Sequence, residues 1–444
     1  MRPNRRLLIL SGLGLAAVAG PLAAASAATA PRAKSALVPD DAADQTASLQ
    51  AAIDAAAIAK LPLVLPPGTI RTQGLELRPG TTITGGGPAS RLVFIGSGPF
   101  LTAHDCVGIA LSNLTIDGGH RPLAATEAPA LLTLAACDNL QVTNVTITNS
   151  SANGVVLTHS TGRIDRCRIE AVASAAIFAT DSVLAITGNT ISDCGDNGIL
   201  VWRSKPGPDG SQVTGNRITG IRADRGGSGQ NGNGVNVFRA GNVQVAGNQI
   251  TDCAYSAVRG NAASNLQIAG NHCQRIGEVA LYAEFGFEGV VITGNTVDSA
   301  ATGISVTNFN EGGRLAVVQG NLIRNLVRRE HEPHDKRGEG IAVEADAAVS
   351  GNTIENAPTC GLLIGWGRHM RDVAASGNVI RACKTGILIS ADANAGRALV
   401  TGNLISGSAD GAIRAHDLGR PFGPDLARQP PTAGRVTITG NAAS

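Results

Sequence analysis

Leu200 and Trp202, Asn236 and Phe238, Arg259 and Asn261, and Tyr282 and Glu284 stand two and four residues after the start of four successive segments of β pattern. Side chains alternate along a strand, so all eight are expected on one outer face. Stacked at the usual spacing of parallel strands, they form a strip about 15 Å long. Trp202, Phe238 and Tyr282 offer ring faces to a sugar. Arg259 offers a fork for a uronate carboxylate, and Glu284 a carboxylate for acid or base work. Only 3% of the chain is aromatic, so this cluster departs from its background. Insertions at 203–211 and 222–234 would wall a groove over the strip. The alternative is that Trp202 and Phe238 simply pack beneath those loops. No two carboxylates stand at an assignable hydrolase separation.

A second candidate is the charged insertion from Arg328 to Glu339. Its Glu332-Pro333-His334-Asp335 is similar to the Asp-Pro-His-Asp motif of the alginate C5-epimerases. That resemblance implies His334 as a base and Asp335 as its partner beside a sugar carboxylate. Here Glu replaces the first Asp and the flanks do not match, so a solvated charged loop is the competing reading. His331, His334 and Asp335 lack any diagnostic metal spacing, and no nucleotide or hydrolase fingerprint stands in a suitable context. No metal or cofactor is predicted.

What must position these residues is a repeat. Gly-Asn recurs with Asn at 189, 216, 248, 271, 295, 321, 352, 378, 403 and 441, at intervals of 23 to 38 residues. Each unit reads close to Val-x-Ile-Thr-Gly-Asn-x-Ile, then a polar turn, then Gly-Ile-x-Val, the last taken as the second strand of the coil. Leu114, Val145 and Cys167 hold the Asn position in earlier units. A unit this short has no room for a helix and cannot bury its apolar face alone, whereas stacked units can. The Leu-x-x-Leu-x-Leu consensus of leucine-rich repeats is absent. The fold predicted is all-β: a single-stranded right-handed parallel β-helix with an N-terminal capping helix.

The Asn column should form an interior ladder of amides, with the preceding Gly permitting the turn. Cys194, Cys253 and Cys383 share an interior column, with one coil between the first two. Cys106 and Cys137 should stack in adjacent coils, where both a disulfide and a pair of buried thiols are open to them. Residues 44–60 read as an amphipathic helix with Asp44 as N-cap and Leu49, Ile53 and Ala57 on one face. Such a cap covers the unpaired edge of the first coil.

The chain opens with Arg5-Arg6 before a modest apolar stretch and Ala-Ser-Ala and Ala-Thr-Ala sites, a signal peptide of twin-arginine type. The segments are thus 1–30 signal, 31–62 linker and capping helix, and 63–444 a β-helix of about 14 coils. Leu63-Val-Leu-Pro-Pro-Gly-Thr-Ile70 after an Ala-rich helix resembles the pectate-lyase-like superfamily of right-handed β-helices. With the leader and the Gly-Asn coils, the chain resembles a family of twin-arginine-translocated repeat proteins. These resemblances imply fold and compartment more than activity.

Formal charge is +2 over 444 residues and falls close to neutral without the leader arginines, which argues against a nucleic-acid binder. After the leader no apolar stretch is long enough to span a membrane. The expected partners are the twin-arginine export machinery and an acidic polysaccharide, met in the periplasm or outside the cell. A non-catalytic binding or envelope-associated role stands beside lyase or epimerase activity.

Overall fold

The computed structural model describes residues 37–227, 229–329, 338–431 and 434–444. It is an all-β parallel β-helix of about 14 turns. Each coil carries three short strands. One column of them forms a 15-stranded sheet, and the other two join in a sheet of 28 strands. The central coil shows the plan: Val183–Thr187, then Thr190–Cys194, then a strand opening at Asn197. The Gly-Ile strand is therefore third in the coil and not second, because the residues after Gly-Asn form a strand of their own. Ile186, Ile191, Ile199 and Val201 point inward and are buried. This narrow aliphatic interior is why so few aromatics suffice.

The corner between the first two strands needs a left-handed residue. Gly188 supplies it at φ +63°, as Gly294 does at +64°. In the earlier coils Asn113, Asn144 and Arg166 adopt the same conformation at φ 54°, 53° and 50°. Pairings of Thr115 with Thr146, Thr146 with Arg168 and Arg168 with Thr190 place Leu114, Val145 and Cys167 in the Asn column.

The ladder is continuous. Asn295 Nδ2 donates to Ile268 O and Asn321 Oδ1, both at 3.0 Å. Its Oδ1 accepts from Asn271 N at 2.9 Å and from Asn271 Nδ2 at 3.0 Å. Asn295→Ala is expected to lower unfolding free energy by about 2 to 3 kcal/mol, because it strands buried partners on both neighbouring coils. Asn441, half-buried on the last rung, is expected to cost less than about 1 kcal/mol on the same change. Urea unfolding of the two variants checks this; equal losses would contradict an interior ladder.

All eight cysteines are buried free thiols. Pairing of Val107 with Asp138 stacks Cys106 on Cys137 in adjacent coils, and of their two open states the structure holds the thiols. Cys194 and Cys253 both pair with Ile221, so one coil does separate them. Burial pushes the Cys194 thiol up to about 12, which leaves it inert.

The capping helix runs Thr46–Ala59 and buries Leu49, Ile53 and Ala56, where Ala57 had been expected. It starts later than the sequence suggested. Gln45 takes the cap position while its own amide bonds both ways to Val38. Asp44 still accepts the Thr46 N–H at 2.9 Å. Arg5, Arg6 and the cleavage sites lie outside the described residues. Among the described residues no helix is long and apolar enough to cross a membrane.

Candidate functional site

The strip forms in the expected register. Trp202 pairs with Phe238, Phe238 with Asn261 and Asn261 with Glu284, while Leu200, Asn236, Arg259 and Tyr282 align beside them. Its exposure differs from the expectation. Arg259 and Glu284 are only 5% and 3% exposed, and the insertion after Ile221 folds back over Asn236 and Arg259. Gly229 of that insertion accepts from Asn236 Nδ2 at 2.9 Å and lies against the Arg259 guanidinium.

Beneath this cover the charges meet each other. Arg259 Nε and Nη2 donate to the two Glu284 oxygens at 2.6 and 2.9 Å, and Nη1 reaches Glu278 at 3.4 Å. The guanidinium also sits 4.8 Å from the centre of the Tyr282 ring. At the other end Trp202 stands between Phe178 and Phe238, 5.0 and 5.4 Å from their ring centres. Its Nε1 donates to Asn236 at 3.0 Å. Trp202 and Phe238 are half-buried.

Further along the same face, unequal turns open a notch. After the strand ending at Val306 the chain takes a long turn through the 3₁₀ segment Phe309–Glu311. After Val343 only Glu344 precedes the next strand. After Ile364 a long turn returns, through Trp366 and His369, whose backbones exchange bonds at 3.1 and 3.0 Å. One low coil between two high ones leaves a cavity of about 380 Å³ with Tyr282, Ser305, Asn308, Trp366 and His369 in its walls. Glu344 lies on its floor.

Burial lifts the Glu344 carboxyl to about 7, against the pull of a hydrogen bond from Phe309 N at 2.6 Å. A carboxyl titrating near neutrality, flanked by an indole, a phenol and an imidazole, can give or take a proton beside a bound ring. The strip rule reaches this residue: Glu344 stands four places after Gly340, as Trp202 does after Gly198. Extending the alignment by two coils finds it in the sequence; its desolvation is a product of the flanking turns. Among the described residues no group of three or more His, Cys, Asp or Glu could hold a metal ion.

The model of a right-handed β-helix region matches residues 130–229, 161–323 and 207–375, together more than half of the chain. The chain belongs to the right-handed β-helix family. No curated protein matches this β-helix chain. Among solved structures it is similar to the catalytic unit of a GH87 α-1,3-glucanase from Streptomyces thermodiastaticus strain HF3-3. That match has TM-score 0.51 and 19% identity, and covers 92% of this chain and 67% of that one. It is similar too to a tailspike double mutant of E. coli bacteriophage HK620 in complex with a pentasaccharide, at TM-score 0.52 and 12% identity, over 90% and 75% of the chains. A mannuronan C-5 epimerase A-module from Azotobacter vinelandii matches at 18% identity over 92% and 98%, with TM-score 0.40. At these identities the first two likenesses establish a common fold. In this β-helix His334 and Asp335 lie outside the described residues, as do His331 and Glu332.

Proposed function

We propose that this β-helix is an exported carbohydrate-processing protein that seats a sugar ring in the notch between Tyr282 and Trp366 and uses Glu344 to move a proton on it. The observation that carries the reading is the notch itself: Tyr282 and Trp366 line the same cavity as Glu344, whose carboxyl is lifted by burial to about 7. The fold supports it, since an α-1,3-glucanase unit and a pentasaccharide-bound tailspike are built on the same coil. A lyase, an epimerase and a hydrolase all need such a group.

Trp366 is half-buried in a turn, so Trp366→Ala should leave the melting temperature within a few degrees of the parent. It is expected to weaken retention on the bound polysaccharide about tenfold or more, as loss of a central aromatic contact does. Affinity electrophoresis across a glycan panel, with unsaturated and reducing-end products followed in parallel, tests the reading. Retention without any product leaves a non-catalytic binder; no retention on any glycan sinks the proposal. Export by the twin-arginine route into the periplasm belongs to this proposal and rests on Arg5, Arg6 and the small-residue sites. Replacing both arginines by lysine is expected to hold the chain in the cytoplasm, as cell fractionation would show.

A further inference from the structure

Trp366 borders a second cavity. The indole also lines a space of about 480 Å³, together with Arg328, Glu339, Lys384, Leu418 and Arg420 among others. Its outer wall is a hairpin, Ile413–Asp417 paired antiparallel with Arg420–Phe422. The hairpin leans on the indole through Gly419, where φ is +80° and an added Cβ would lie 3.1 Å from the ring. Only glycine allows that approach. Trp366 thus lines both chambers.

The chambers differ in charge. Among the described residues that line the first, the ionisable side chains are Glu344, Tyr282 and His369. Among the described residues that line the second, Arg328, Lys384 and Arg420 stand with one carboxylate, Glu339. Arg328 is anchored by Nη2 to Pro358 O at 2.9 Å, which fixes where its guanidinium stands. Lys384 meets Asp410, which is not part of the chamber lining, at 3.4 Å in an exposed pair that leaves most of the ammonium hydrated. Arg420 projects from the hairpin and is exposed. Behind the indole, His416 is fully buried, accepts the Gly419 N–H at 3.0 Å and is held neutral by burial.

We infer that the second chamber binds the anionic group of the sugar next to the one held over Glu344, so that the paired chambers select an acidic polysaccharide over a neutral one. Two spaces that share one aromatic wall residue suit consecutive residues of a polymer. Arg and Lys at the far rim supply what a carboxylate or sulfate needs and a neutral hydroxyl does not. The inference rests on the carbohydrate reading of the notch and adds the charge class of the substrate to it.

The test compares alginate, polygalacturonate and hyaluronate with their carboxyl-reduced forms, using the full exported chain, the Lys384→Ala/Arg420→Ala variant and Trp366→Ala. At least one acidic polymer should be retained about tenfold more strongly than its reduced form, and should lose that advantage in the double variant and in high salt. Both altered residues are exposed, and unchanged melting temperatures would confirm that the fold is intact. Equal retention of acidic and reduced forms overturns the inference and leaves the carbohydrate reading standing. Dextran sulfate binding as strongly as any uronate, untouched by Trp366→Ala, also overturns it, because the cations would then be acting as a general polyanion surface. No retention of any polymer overturns both.

Discussion

Glu284→Gln is expected to destabilise the fold by about 3 to 5 kcal/mol, the cost of removing one partner from a buried ion pair. Strand alternation alone would place this carboxylate in solvent and make the change harmless. In the structure it is 3% exposed and holds both forks of Arg259, with Asn261 adding a bond to the same oxygen at 3.1 Å. The substitution keeps the shape and one acceptor oxygen but removes the charge and turns the second oxygen into a donor facing the buried Arg259 guanidinium. Replacing Arg259 and Glu284 together by methionine should cost less than the sum of the single changes, since neither charge is then left behind. Thermal or urea unfolding of the four proteins measures the coupling. An unchanged melting temperature for Glu284→Gln would mean that the carboxylate faces water and the loop after Ile221 does not cover it.

Glu344→Gln should act in the opposite direction on stability while abolishing turnover. The carboxyl titrates near 7 in the folded chain and near its ordinary value of 4.5 unfolded. Between those values the folded state carries the extra proton, so stability falls as pH rises through that window and stays lower above it. The loss at pH 8 is on the order of 3 kcal/mol. Glutamine has no proton to lose. The variant should therefore melt above the parent at pH 8, and the gap should close at pH 4.5 and below. Turnover of the polysaccharide should drop by about 10² to 10⁴, the range for loss of a general acid or base. A stability gap that did not change with pH would place Glu344 in contact with solvent and remove its fitness for proton transfer. A pH-dependent gap with undiminished turnover would keep the geometry and assign the chemistry elsewhere.

Most of the architecture could be read from the residues. Gly-Asn spacing located the corner in coil after coil, because a left-handed glycine and an amide that satisfies its neighbour are local requirements of every turn. Alternation then put Trp202, Phe238, Arg259, Tyr282 and Glu284 on one face, and the register of the sheets agrees pair by pair. Leu114, Val145 and Cys167 were placed in the Asn column for the same reason. These are short-range constraints: a one-residue slip would turn every side chain to the opposite face, so sequence pattern and strand register carry the same information.

Two features depended on where long loops travel after leaving their own coil. The loop around Gly229 packs on Arg259, whose pair with Glu284 is buried, so a row expected to be open is part of the packed interior. The turns around Phe309 and Trp366 rise on either side of the short one at Glu344 and desolvate its carboxyl. Residue type and strand position were legible at both sites, but burial was not. The sequence by itself determined the coil, its ladder and its columns, since each repeats within a few residues along the chain. Tertiary structure decided which outward groups meet water, because that depends on loops crossing from coils tens of residues away, and dielectric surroundings have no sequence period.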